Sequence, residues 1–268
     1  MKMARTSWST SKRTRPAAAI GKRRQYKNPP IVEATCEFRF APAEEWNIAY
    51  SGLFLEKVKA RYSGKPREQR LLQVSGRPGV TAPREGATFQ EITKVQIPTA
   101  DGKELVAVGP GILSVHVMKP YSGWERYRKQ IDDALTSYLT VAKPDGIRRI
   151  GIRYINRIEP SDPGADPREF FASPPHSLDQ LECVLETFAL RHEYVYRDEP
   201  VKLLVTMARV DIEQGKLGLV LDLDVVQEWT SEPLPLKKGM QIVDNLRQRE
   251  RQAFETMITD KARALFDV

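Results

Sequence analysis

The chain of 268 residues carries 42 Lys and Arg against 35 Asp and Glu, with three His and two Cys. That length supports a sizeable core, while two cysteines supply neither a disulfide framework nor a Cys-rich zinc site. No stretch reaches the ~20 consecutive apolar residues that a membrane helix needs, so a soluble, cytoplasmic protein without a membrane partner is expected.

Charge is unevenly placed. Residues 1–32 hold nine cations (Lys2, Arg5, Lys12, Arg13, Arg15, Lys22, Arg23, Arg24 and Lys27) and no acid, leaving 33 basic and 35 acidic residues in the rest, a net of −2. Residues 1–27 read as a disordered basic tail, and 28–268 as one α+β domain. Such a tail gains affinity for nucleic acid by releasing counterions from phosphates, and Trp8 and Tyr26 could stack on bases. A plain solvated terminus and a transit peptide share the composition, although Pro16 and the weak apolar face disfavour the latter.

Order is expected from Asn28-Pro29-Pro30. Val32, Ala34, Cys36, Phe38 and Phe40 then alternate with Glu33, Thr35, Glu37 and Arg39, which is a strand with one core face and one wet face. Cys36 falls on the core face and reads as packing. Trp46, Tyr50, Phe54, Leu55, Val58 and Tyr62 form a helical stripe that Ser63-Gly64-Lys65-Pro66 ends. Residues 66–87 read as a loop with a short strand at Leu71–Val74, and strands follow at 88–97, 104–108 and 112–118. Asp101-Gly102 and Gly109-Pro110-Gly111 mark the turns between them.

A second helix is expected from Pro120, with Trp124, Tyr127, Ile131, Leu135, Tyr138 and Leu139 on its stripe. Pro42–Trp46 and Pro120–Trp124 share a spacing, consistent with a duplication into halves 28–118 and 119–268. The strand at 147–158 places Ile150, Ile152, Tyr154, Asn156 and Ile158 on one face and Arg149, Arg153 and Arg157, together with Ile155, on the other. A Pro-rich loop at 159–180 precedes strands at 182–196, 201–212 and 217–227, the last with Asp222 and Asp224 on its wet side. One long helix from 239 to 266 closes the chain. Its Arg247, Arg249 and Arg251, alternating with Gln248, Glu250 and Gln252, read as an exposed mixed-charge face. Hairpin-length connections make this a mostly antiparallel sheet of about seven or eight strands, covered on one face by three long helices.

Asn28-Pro29-Pro30-Ile31-Val32-Glu33-Ala34, running into Cys36-Glu37-Phe38-Arg39-Phe40, resembles the N-terminal signature of a sporadically distributed prokaryotic family. Gly109 to His116, Tyr121-Ser122-Gly123-Trp124, Arg153 to Ile158 and Leu221-Asp222-Leu223-Asp224 fit the same resemblance, which spans about Tyr26 to the C-terminus. No activity is assigned to that family, so it implies no catalytic residue. Its patchy distribution implies an accessory role in a bacterial system such as phage defence.

The usual phosphate-loop, zinc-protease, CxxC and serine-elbow signatures are missing from the chain. Asp222 and Asp224 are two apart on a strand, so both carboxylates point one way and could hold a divalent cation for phosphoryl chemistry, with His116 joining them. Cross-strand pairing is the ordinary alternative. Glu37, Arg39, His116, Arg149, Arg153 and Arg157 form the candidate binding face. Three readings follow: an interaction module with a protein partner or a second copy of itself and no cofactor, a nucleic-acid accessory factor using the tail (Lys12, Arg13, Arg15, Lys22, Arg23, Arg24, Lys27), and a metal-dependent phosphoesterase or nucleotidyl enzyme at Asp222 and Asp224.

Overall fold

Alternation in Ile31–Ala41 produces the strand at the heart of the sheet. A computed structural model describes residues 24–42, 44–75, 88–176, 178, 180–181, 185–212 and 216–267. Its strands are β1 (Ile31–Ala41), β2 (Arg67–Ser75), β3 (Thr88–Pro98), β4 (Glu104–Gly109), β5 (Ile112–Met118), β6 (Gly146–Ile158), β7 (Ala189–Val195), β8 (Val201–Ile212) and β9 (Lys216–Glu228). They form one antiparallel sheet in the order β2-β3-β4-β5-β1-β6-β9-β8-β7. Nine strands among the described residues therefore replace the seven or eight expected. The β2 strand is longer than the short Leu71–Val74 segment, because Arg67–Ser75 pairs along its whole length with β3. At the opposite end, β7 begins at Ala189, later than the expected 182.

Four helices are described: α1 (Ala49–Val58), α2 (Trp124–Ala142), α3 (Gly239–Met257) and α4 (Asp260–Phe266). Two are long and two short, not three long. The terminal helix breaks because Ile258 is extended and forms an isolated bridge with Phe171 of the loop after β6. Thr259 then starts α4, its hydroxyl accepting from the Ala262 N–H. Likewise α1 begins after Trp46, whose ring is stacked on Tyr138 at 6.1 Å.

One face of the sheet is apolar. Ala34, Cys36, Phe38 and Phe40 of β1 are joined there by Leu113 and Val115 of β5 and by Ile150, Ile152 and Tyr154 of β6. Phe54 of α1, Ile131 and Tyr138 of α2, and Val243 and Leu246 of α3 close over them. A second cluster gathers Leu219, Leu221 and Leu223 of β9 with Phe170, Phe171, Phe254 and Phe266. Burial pushes the Cys36 thiol up, keeping it an inert packing group. Asn156 is 1% exposed and satisfied by donating to the Leu221 carbonyl at 3.1 Å. Arg128 of α2 clamps Asp244 of α3 through two bonds of 2.7 and 2.9 Å, fixing the two long helices side by side.

The terminal-helix charges are not all exposed. Glu250 is 2% exposed, and the Arg247 guanidinium sits 4.2 Å from the Tyr154 ring centroid and beside Glu250. Position 250 falls on the stripe of Val243, Leu246 and Phe254, so helical spacing turns it inward. No helix among the described residues is long and apolar enough to cross a membrane.

Candidate functional site

The face opposite the helices carries the charged residues of each alternation, together with Ile155 of β6 and Val220 and Val226 of β9. Four adjacent strands, β5, β1, β6 and β9, bring all the expected wet-face residues together: His116, then Glu33, Glu37 and Arg39, then Arg149, Arg153 and Arg157, then Asp222 and Asp224.

Glu37 is the hub. Its carboxylate accepts from Arg39 Nε at 3.0 Å, Lys94 Nζ at 3.1 Å and Arg149 Nη1 at 2.9 Å. Burial disfavours the charge, but Lys94, Arg149 and Arg39 outweigh it and hold the carboxyl below its usual range. Lys94 belongs to β3, three strands from β1, and is 6% exposed. Its stem lies beside Gly109, where a Cβ would stand in ordinary contact with Lys94 Cγ at 3.5 Å but would clash with the Thr93 carbonyl at 2.6 Å. Gly151 makes room for Arg149. A Cβ there would meet the guanidinium at 3.3 Å, so the bare backbone lets Arg149 lie between Glu37 on one side and Glu228 (3.5 Å) and Asp224 (3.9 Å) on the other.

Asp222 and Asp224 differ. Arg153 grips Asp222 through two bonds of 2.8 and 2.6 Å. Among the described residues Asp224 has only the longer Arg149 contact as an ion pair, and burial raises its pKa against the pull of Arg149 and Arg153. A cation bridging the two aspartates would have to displace Arg153. His116 does not join them, because β1 and β6 intervene and put it three strand spacings away, about 14 Å. Among the described residues no three His, Cys, Asp or Glu side chains gather as a metal-binding group.

His116 has its own partners. Nδ1 lies 3.0 Å from Glu33 Oε1 and 3.1 Å from Thr35 Oγ1, and Nε2 lies 3.0 Å from Ser114 Oγ. The hydrogen bond from His116 lowers the Glu33 pKa. This carboxylate–imidazole–hydroxyl chain has the connectivity of a nucleophile triad. Ser114, however, is 2% exposed, and β5 pairs with β1 and β4 on both sides, which consumes the backbone donors an oxyanion would need. The chain therefore acts as an internal polar tie.

Two clefts lie at the ends of β6. One, of about 400 Å³, is bordered by Lys27, Lys119 and Arg157 together with Pro29, Pro30 and Tyr121. Arg157 donates to Glu159 there at 2.7 Å. The other, of about 370 Å³, lies among Arg39, Arg148, Arg149, Glu228 and Trp229. Of the tail cations, Lys12, Arg13, Arg15, Lys22 and Arg23 fall outside the described residues. Arg24 pairs with Asp267 at 2.6 Å. Tyr26 packs edge-on against Phe254 and Phe266 and donates to Glu255 at 2.9 Å, so its ring is taken up by α3 and α4.

Sequence reasoning missed Lys94, Ser114, Glu228 and Lys202, which extend the network. All four obey the same alternation, so parity could have placed them on the face. Their partners depend on strand order. No protein-family model matches the chain, and no curated protein matches it.

Proposed function

We propose that the chain is a non-enzymatic interaction module whose charged sheet face docks a partner protein. The observation that carries this reading is the interleaving of cations and carboxylates across β1, β6 and β9, each held by its neighbours. A polyanion would meet carboxylates throughout the centre, whereas a protein surface can answer both signs. The resemblance adds an accessory role in a prokaryotic system. A duplicated unit, halves 28–118 and 119–268, belongs to the same proposal. It is supported by the pairing of β1 and β6 at the sheet centre, each followed outward by its own meander.

The test is a pulldown from the native host, comparing the full chain with an Arg153→Gln, Arg157→Glu variant whose melting curve is checked. A partner held by the wild type and lost from the variant is expected. Equal retention by both, or recovery of nucleic acid alone, refutes the reading. A second reading, a nucleic-acid arm, is favoured by the acid-free run of cations before Glu33.

A further inference from the structure

The sheet has two edges, and they are treated differently. The β2 edge opens with Arg67-Glu68-Gln69-Arg70, a charged run of the kind that discourages strand addition. The β7 edge reads Ala189-Leu190-Arg191-His192-Glu193-Tyr194-Val195, and six of its seven residues are exposed. Tyr194 is 49% and Val195 65% exposed. One side of β7 pairs with β8, and among the described residues no strand pairs with the other. Arg191 has no ion-pair partner among the described residues, and Glu193 has only Lys202 at 3.8 Å.

We propose that this edge pairs antiparallel with β7 of a second copy, about a two-fold axis through His192 and normal to the sheet. The argument is one of parity. Odd-numbered residues of β7 share the charged face and even-numbered ones the helix face, as their pairing with β8 and β9 requires. An axis normal to the sheet keeps the helices of both copies on one side, so an odd residue must oppose an odd one and an even residue an even one. Centring on Arg191 sets Arg191 against itself and Ala189 against Glu193. Centring on Glu193 sets two carboxylates together. Only the His192 centre opposes Arg191 to Glu193 of the second copy, twice over. The same register sets Leu190 against Tyr194 and Ala189 against Val195, so every pair flanking the axis, where His192 meets its own copy, is complementary in charge or apolarity. The interface is isologous and closes at two copies, joining the sheets into one continuous ladder.

This goes beyond the partner proposed for the charged face, and its positions lie outside that four-strand cluster. Sedimentation equilibrium of the full chain over a broad concentration series tests it. A reversible dimer is expected, weakened about tenfold or more by Arg191→Glu or by Glu193→Arg alone, since each places like charges opposite each other twice. The double variant Arg191→Glu, Glu193→Arg restores opposite charge and should recover the wild-type dimer. A chain that stays monomeric at every concentration, a dimer indifferent to the single changes, or a double variant that is not rescued would each overturn the proposal. So would a full chain that stays monomeric while one lacking residues 1–23 dimerises, because the edge would then belong to the chain's own N-terminal segment.

Discussion

Glu37 and Asp224 are carboxylates on the same face, and their surroundings drive them in opposite directions. Three cations make Glu37 more acidic than usual, whereas burial with incomplete pairing makes Asp224 less so. A depressed folded-state pKa contributes stability that is present above the unfolded value and lost as pH falls through the folded one; a raised pKa has the reverse sign. Glu37→Gln should therefore cost about 2 kcal/mol at pH 7, because it strands three cations, and the deficit should shrink toward about pH 3. Asp224→Asn should leave the pH 7 stability unchanged or higher, with its advantage fading in acid. Urea unfolding at both pH values checks the pair. Equal losses at pH 7 would show that Glu37 is no hub. Period-two alternation made the wet face legible residue by residue, with Glu37, Arg149 and Arg153 correctly sided. The reach of Lys94 to Glu37 was hidden, because it depends on which strands lie between them.

At the scale of elements, the turn and strand signals read well. The Asp101-Gly102 turn appears with Gly102 at φ 69°, and β8 spans Val201–Ile212 as alternation indicates. The break between α3 and α4 was not legible. Apolar spacing runs on through Met257 and Ile258, and the segment that interrupts it lies far upstream. Ala172 donates its N–H to the Met257 carbonyl at 2.8 Å, and the Thr259 N–H donates to Phe170 at 3.1 Å. Thr259 also donates its hydroxyl to the Glu169 carbonyl. This residue thus caps α4 and fastens the loop together. Thr259→Ala should cost about 1 kcal/mol in urea unfolding, and Thr259→Ser much less. If alanine and serine behave alike, the hydroxyl does not hold the junction.

For the molecule as a whole, charge divides sharply along the sequence. Residues 1–23 carry seven cations and no acid, so a chain without them has 35 basic and 35 acidic residues and a formal net charge of zero. Such a chain should lose most of its retention on heparin and be least soluble near neutral pH. Elution salt measured for both chains is the check. Unchanged retention would move the polyanion affinity to the clefts around Lys119 and Arg148. Tyr26 and Arg24 stay in the shortened chain, because they pack on α3 and α4.

The position of β1 bears on how the protein is made. It is the first strand along the described chain, yet it occupies the centre of the sheet. Glu33 finds one neighbour at Met118 and the other only at Ile155. During synthesis the earliest strand therefore waits for most of the sheet to be translated before both its edges are closed. A nascent chain stalled before Gly146 holds Phe38 and Phe40 on a half-paired strand; α2 can already stack Tyr138 on Phe40, but α3, which packs at Phe38, is not yet made. Such a half-paired strand exposes the open edge that chaperones or aggregation engage, and β6 is the strand that closes it.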